Sequence, residues 1–127
     1  MRYLLLLAVE GPAHGLVEPD GAAQGPVVAR YRSLLRELED AGMWCGGDAL
    51  QPATSVTGVR VRDRRVILRD GRFVGTTDHL VGYCVVDCDD LDHAIDVSSR
   101  IPIAEHGSIE IWPVHEDHAA MRAPLRG

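Results

Sequence analysis

The chain contains no lysine, so all thirteen of its basic residues are arginine. That absence excludes Schiff-base chemistry, a lysine general base and a P-loop lysine. Aromatic residues make up only 5% of the chain, and the formal net charge is −6. An acidic chain with few aromatic rings has neither the phosphate attraction nor the stacking surfaces of a nucleic-acid-binding protein. We therefore expect no nucleic-acid partner.

Long hydrophobic runs are also missing. The longest run extends from Tyr3 to Val9 and is far shorter than the ~20 residues that span a bilayer. It lacks the preceding basic region and the small-residue cleavage site of a signal peptide. The three cysteines, an odd number without a secretion signal, argue against a disulfide framework. These features predict a cytoplasmic protein with no membrane partner.

The composition that remains is typical of one soluble globular domain. The chain has 127 residues, of which 46% are hydrophobic and 25% charged. We predict a domain over residues 1–114 and a polar tail with small residues over 115–127.

Hydrophobic periodicity predicts two helices among several strands. A helix over 26–41 follows from one apolar stripe made by Val27, Tyr31, Leu34 and Leu38. A second helix over 90–100 has aspartates as caps and an apolar face of Leu91, Ala94, Ile95 and Ser98. Gly46, Gly47 and Pro52 indicate a loop over 44–53. Strands are predicted over 2–9, 54–61, 65–68, 80–86 and 108–114.

The order of these elements predicts an α+β fold. Without the short strand it is βαββαβ, the ferredoxin-like unit, so the short strand makes an extra β-hairpin. Two helices would cover one face of the sheet, and the first strand is apolar on both faces. An exposed apolar sheet face predicts a partner, and a symmetric homodimer is the simplest one.

Fragments along most of the chain resemble one known family. They include Gly47-Asp48-Ala49-Leu50-Gln51-Pro52, Asp70-Gly71-Arg72-Phe73, Asp90-Leu91-Asp92-His93-Ala94 and Gly107-Ser108-Ile109-Glu110-Ile111-Trp112-Pro113-Val114. In this order they resemble the YCII-related proteins of the DGPF subgroup over about residues 2–114. The resemblance implies a bacterial protein with a dimeric α/β-barrel assembly built on the ferredoxin-like unit. Most such proteins have no established activity.

The chain departs from the family pattern where chemistry would be expected. Arg72 replaces the proline of the DGPF motif, Thr77 replaces a lysine and Trp112 replaces an arginine. Some distant relatives are enzymes with a proposed histidine–aspartate pair. Here the first predicted helix contains no histidine, and Ile101 stands where that aspartate would fall.

Asp70 and His106 are the candidate catalytic residues. Asp70 follows a strand and precedes a glycine-rich loop, so it can act as a base or orient one. His106 titrates near neutrality, as acid–base chemistry requires. The alternatives are an aspartate that hydrogen-bonds its own turn and a solvated loop histidine. We predict that the two side chains share a pocket.

The candidate ligand-binding residues lie in loops and on the last strand. Asp48 is in a glycine-rich stretch, and Glu110 would orient His106. The alternative for Asp48 and for Glu110 is a carboxylate that faces solvent. The long loop over 10–25 can close over a pocket. The full set of candidate ligand-binding residues is Asp48, Phe73, Glu110, Trp112 and His14.

Two further clusters are a tract of histidines and acidic residues and a group of arginines. The tract His115-Glu116-Asp117-His118 lacks metal-site spacing, so we predict no metal site and no cofactor. Arg60, Arg62 and Arg64 share a face of one strand, joined by Arg65, Arg69 and Arg72. This basic patch is either a solvated hairpin or a site for an anion or an acidic partner.

Three functions remain in competition at this point. The first is a small-molecule-binding dimer with a regulatory role. The second is an enzyme that uses acid–base chemistry, such as a lyase or a dehydrochlorinase-like enzyme. The third is a protein-partner module. A pocket where Asp48, Asp70, His106 and Glu110 converge would favour the enzyme, and an apolar pocket would favour the binding protein.

Overall fold

A computed structural model describes residues 1–9, 25–51, 56–72 and 79–116. The strands are β1 (Arg2–Val9), β2 (Trp44–Ala49), β3 (Thr57–Arg62), β4 (Arg65–Asp70), β5 (His79–Asp87) and β6 (Gly107–Pro113). The helices are α1 (Gly25–Asp40) and α2 (Leu91–Ser99), and a 3₁₀ helix covers Pro102–Glu105. Neither α1 nor α2 is both long and apolar enough to cross a bilayer.

Four strands form one antiparallel sheet in the order β2-β5-β1-β6, while β3 and β4 form a separate two-stranded sheet. With β3 and β4 set aside, the element order is βαββαβ. The first and third strands of that unit lie at the centre of the sheet, as in a ferredoxin-like fold. The α+β prediction is therefore confirmed, and the structure is compatible with the ferredoxin-like arrangement.

The core lies between this sheet and the two helices. On β1, Tyr3, Leu5, Leu7 and Val9 are at most 7% exposed and pack with Leu34 and Leu38 of α1. Side chains alternate along a strand, so Leu4, Leu6 and Ala8 point to the other face of the sheet. The predicted α1 stripe is confirmed at Tyr31, Leu34 and Leu38; the side chain of Val27 is outside the described residues.

The prediction of a loop over 44–53 is wrong, because residues 44–49 form β2, an edge strand of the main sheet. Gly46 has a φ of +124° and lies in a bulge between Trp44 and Gly47. An added Cβ at Gly47 would lie 2.5 Å from the carbonyl oxygen of Tyr83. The glycines therefore let β2 bend and approach β5 rather than leave the sheet.

The strand predicted over 54–61 is consequently not the second strand of the sheet. Residues 57–62 instead form β3, which joins β4 through the tight turn Asp63-Arg64. Both turn residues have positive φ, 50° and 64°, as a two-residue type I′ hairpin turn requires. Arg64 therefore belongs to the turn. The prediction that it shares a strand face with Arg60 and Arg62 is wrong.

The predicted aspartate cap of α2 is confirmed, since the Asp90 side chain accepts a hydrogen bond of 2.8 Å from the backbone N–H of His93. Its predicted apolar face is wrong at two positions. Leu91 and Ile95 are 50% and 49% exposed. The buried residues are instead Ala94, Val97, Ser98 and, just beyond the helix, Ile101. Their spacing of i, i+3, i+4 and i+7 makes the stripe that faces the sheet.

Candidate functional site

The face of the sheet opposite the helices carries three of the predicted site residues. We call it the open face. Directly paired residues of an antiparallel sheet point to the same side. The pairing of Leu4, Leu6 and Ala8 with β5 and β6 therefore identifies the other residues of the face. They are Leu80, Tyr83, Val85, Ser108, Glu110 and Trp112, with Asp48 added by β2.

One row of the open face crosses all four strands. Asp48 pairs with Tyr83, Tyr83 with Leu6, and Leu6 with Glu110. Three strand spacings of ~4.8 Å separate the two carboxylates by roughly 14 Å. The row therefore places an acidic group at each end of an apolar centre.

At one end of the row, the Tyr83 hydroxyl donates a hydrogen bond of 3.0 Å to a carboxylate oxygen of Asp48. This bond raises the pKa of Tyr83 above its ordinary value, because the protonated phenol is the form that donates to the carboxylate. The bond also fixes the position of the Asp48 carboxylate, which is exposed on an edge strand. Asp48 is thus an oriented acceptor rather than a mobile surface group.

At the other end, Trp112 donates a hydrogen bond of 3.1 Å from its indole Nε1 to Glu110. The two residues lie two positions apart on β6 and therefore project from the same face. Trp112 is 54% exposed, so its ring offers an apolar surface beside the carboxylate. In the adjacent row, Trp112 pairs with Leu4, and Leu4 pairs with Val85.

The open face is acidic at its ends and apolar in its middle. Leu4, Leu6, Leu80, Tyr83 and Val85 are each partly exposed, and both α1 and α2 lie on the opposite face. Carboxylates accept hydrogen bonds and attract cations. The surface is therefore suited to an apolar molecule that carries hydrogen-bond donors or a positive charge.

The candidate catalytic residues lie elsewhere. Asp70 ends β4 in the separate hairpin, where it pairs with Thr57. His106 follows the 3₁₀ helix, and its backbone N–H donates to Ile103. Both side chains are exposed. Among the described residues no hydrogen bond or ion pair joins them, so their shared pocket remains a prediction.

Beside His106, Glu105 has a different role. It accepts a hydrogen bond of 2.6 Å from Arg30 of α1, an ion pair that lowers the pKa of the Glu105 carboxyl. A second ion pair joins Glu37 of α1 to Arg100, just after α2. The two pairs connect α1 to the segment that follows α2. They flank a cavity of about 500 Å³ that is open to solvent. Its described lining residues do not include any of the predicted site residues.

A second cavity, of about 260 Å³, lies between α1 and β2. Its apolar walls are Val28, Tyr31, Leu35 and Trp44, and its polar groups include Arg32 and Asp48. Burial raises the pKa of the Tyr31 hydroxyl well above its ordinary value. Asp48 thus lies at the sheet edge where this cavity and the open face meet.

Two predicted site residues, His14 and Phe73, lie outside the described residues. Within the ranges that the structure does describe, no three histidine, cysteine, aspartate or glutamate side chains are grouped as metal ligands. Tyr83 was not among the predicted site residues. Alternation along β5 would have indicated its face, but only the pairing with β2 brings it to Asp48.

Comparison with known proteins identifies a domain family and a relative. The model of the YCII-related domain matches residues 1–117. An uncharacterised protein of Rhizobium meliloti (strain 1021) is 31% identical over 90 residues, which cover 69% of this chain and 73% of the relative. Neither match names a ligand or a reaction.

Proposed function

The chain belongs to the YCII-related domain family, and we propose that it binds a small molecule on the open face. The observation that carries the proposal is the row Asp48–Tyr83–Leu6–Glu110, with an oriented carboxylate at each end of an apolar centre. The ligand class that fits is an apolar or aromatic molecule bearing an amine or another hydrogen-bond donor. The role is binding, in the manner of a regulatory protein, with no reaction step.

A second copy of the chain would complete this site. An apolar surface left open to water favours association. Two open faces set against each other would enclose the apolar centre and leave the carboxylates at the rim. We therefore propose a homodimer in which the ligand lies between two sheets, in line with the dimeric barrel that the family resemblance implies.

Ligand binding is tested with three aromatic probes of similar size: phenethylamine, its neutral analogue ethylbenzene and phenylpropionate. A Trp44→Phe variant leaves Trp112 as the only tryptophan, because the sequence has two, so fluorescence then reports on the open face. We expect phenethylamine to quench the fluorescence of Trp112 and to raise the unfolding temperature of the protein. Phenylpropionate should do neither.

Matched variants locate the contact. In the same background, Asp48→Asn and Glu110→Gln each remove one carboxylate. The variant that removes the carboxylate in contact with the amine should weaken binding by about tenfold or more, since hydrogen bonds to charged groups contribute ~1.5–3 kcal/mol. Asp40→Asn, an exposed carboxylate on α1, is the control and should leave binding unchanged. The proposal would be refuted if phenethylamine and phenylpropionate bound equally well, or if all three variants bound phenethylamine with the same affinity.

The sheet-to-sheet dimer is tested separately. Leu6→Arg places a charge at the centre of the open face, and sedimentation equilibrium should show a shift towards monomer with unchanged circular dichroism. A Leu6→Arg protein that associates as tightly as the wild type would exclude the open face as the interface.

A further inference from the structure

The β3–β4 hairpin, residues 57–72, stands apart from the rest of the fold. Among the described residues its strands pair only with each other, and every residue of β4 is exposed. An isolated two-stranded hairpin is marginally stable in water. A hairpin of this kind needs a surface to pack against, and neither the main sheet nor the helices of its own chain supply one along β4.

One face of the hairpin is apolar. The pairs Val59–Leu68 and Val61–Val66 share it, because directly paired residues point to the same side. These four side chains are 57–67% exposed. They form a continuous apolar strip two residues wide, which is unusual for a surface in contact with water.

The other face and the tip of the hairpin are basic. Arg62 pairs directly with Arg65, an arrangement in which like charges repel, and Arg64 occupies the adjoining turn. A ribbon only two strands wide lets long arginine side chains reach past its edges. Repulsion at the tip is relieved when an acidic surface lies alongside.

The rest of this same chain is strongly acidic. Residues 57–72 contain six arginines and two aspartates, a net charge of +4, whereas the other 111 residues contain seven arginines and seventeen acidic residues, a net charge of −10. The hairpin and the body of the protein are therefore electrostatically complementary. A second copy of the chain brings the complementary body with it.

Helix α2 provides a matching surface on that body. Leu91 and Ile95, one turn apart, are 50% and 49% exposed. Residues 87–96 contain five aspartates and no arginine, and Asp92 and Asp96 are exposed beside the two apolar side chains. The α2 surface thus presents two apolar side chains among negative charges. The hairpin presents an apolar strip with positive charges at its tip and on its opposite face.

We propose that the hairpin is a dimerisation arm that packs its apolar strip on Leu91 and Ile95 of a second copy, while its tip arginines meet Asp92 and Asp96 there. In a two-fold dimer each arm reaches the other copy, so the contact forms twice. This arm contact requires self-association, but it is independent of the ligand and of the apposed open faces.

Charge exchange tests the contact directly. Arg62→Glu/Arg65→Glu and, separately, Asp92→Arg/Asp96→Arg should each raise the dimer dissociation constant by about tenfold or more at low salt, equivalent to ~1.4 kcal/mol. An equimolar mixture of the two variants should regain association. In the mixed dimer one arm contact has the wild-type charges and the other has both charges exchanged, so both contacts are complementary. The control, Glu39→Arg/Asp40→Arg on α1, should associate like the wild type.

The apolar strip is tested without a change of charge. Val61→Thr/Val66→Thr keeps the shape and the strand preference of both side chains and should weaken the dimer by about tenfold, whereas Ile67→Thr, on the opposite face, should have little effect. Circular dichroism checks that each variant folds.

Three outcomes would overturn the proposal that the hairpin is a dimerisation arm. The first is a wild-type protein that is monomeric at all concentrations, as expected if a different protein occupied the hairpin. The second is a pair of charge variants that fail to associate when mixed. The third is a dimer that Leu6→Arg dissociates but the arm variants do not, which would leave the sheet-to-sheet dimer standing and the arm without a role.

Discussion

The Tyr83 hydroxyl and the Asp48 carboxylate meet over 3.0 Å on the uncovered side of the sheet. The two residues are 35 positions apart in the chain, and adjacent strands bring them together in direct register. This contact orients one of the two carboxylates that would receive a ligand.

Replacing Asp48 with asparagine should lower the pKa of Tyr83 towards its ordinary value of 10, because the charged acceptor that favours the protonated phenol is lost. The pKa of Tyr83 is raised in the folded protein. The stabilisation from this bond is therefore fully present below pH 10 and is lost as the pH rises through the folded-state pKa. Tyrosinate absorbance during an alkaline titration, with Tyr83→Phe to identify the signal, measures the change. An unchanged titration in Asp48→Asn would show that the bond is not formed in solution.

The three cysteines should differ sharply in reactivity. Cys45 is exposed, while Cys84 and Cys88 are buried. Burial raises the pKa of the Cys84 thiol to about 12 and also raises that of Cys88, which disfavours the reactive thiolate. An aromatic disulfide reagent should therefore titrate one thiol in the native protein and three after unfolding. Cys45→Ser should abolish the native reaction; rapid labelling that persists in this variant would contradict the described packing.

The turn of the hairpin contains a correctable strain. Arg64 has a φ of 64°, a conformation that glycine adopts without steric cost. Arg64→Gly creates an Asp-Gly turn and should stabilise the hairpin by about 0.5–1 kcal/mol. The measurement is slower hydrogen exchange of the amides in β3 and β4. Arg65→Gly, within the neighbouring strand, is the control and should accelerate exchange; the opposite order would mean that the turn is of another type.

The fully buried centre of β1 should tolerate truncation poorly. Leu5 is 0% exposed whereas Leu91 is 50% exposed. Leu5→Ala should therefore cost ~2–5 kcal/mol of the free energy of unfolding, because it leaves a cavity in the core. Leu91→Ala makes the same chemical change on the surface of the protomer and should cost well under half as much. Urea denaturation at a protein concentration low enough to keep the chain monomeric compares them, and similar costs would place Leu91 in the core.

Local patterns predicted the regular elements well. The strand over 2–9 follows from a near-continuous apolar run, and the helix over 26–41 follows from one apolar stripe. The structure has Arg2–Val9 and Gly25–Asp40. The prediction for residues 44–49 failed because the pair Gly46-Gly47, considered without its neighbours in the fold, is typical of a loop. Only the close passage of Tyr83 along the neighbouring strand makes those glycines part of a sheet.

The site was less accessible to sequence reasoning than the fold. Asp48, Glu110 and Trp112 were predicted as ligand-binding residues, but their common face depends on pairing between strands that are distant in the chain. Asp48 and Tyr83 are 35 residues apart, and the pairs with β1 are farther apart still; periodicity does not supply such pairings. For α2, Leu91 and Ile95 fit an apolar stripe as well as Ala94 and Val97 do. Contact with the sheet selected the stripe with the smaller side chains, and the larger pair was left in solvent.

The bulge at Gly46 has a consequence for the behaviour of the protein in concentrated solution. Strand β2 forms an edge of the main sheet, and a straight edge strand exposes unpaired backbone groups to which further chains can add. The bulge interrupts the regular spacing of those groups and increases the local twist, so an incoming strand cannot pair along the full length of β2. A chain with this much exposed apolar surface is thereby protected, on that side, from growth into fibrils.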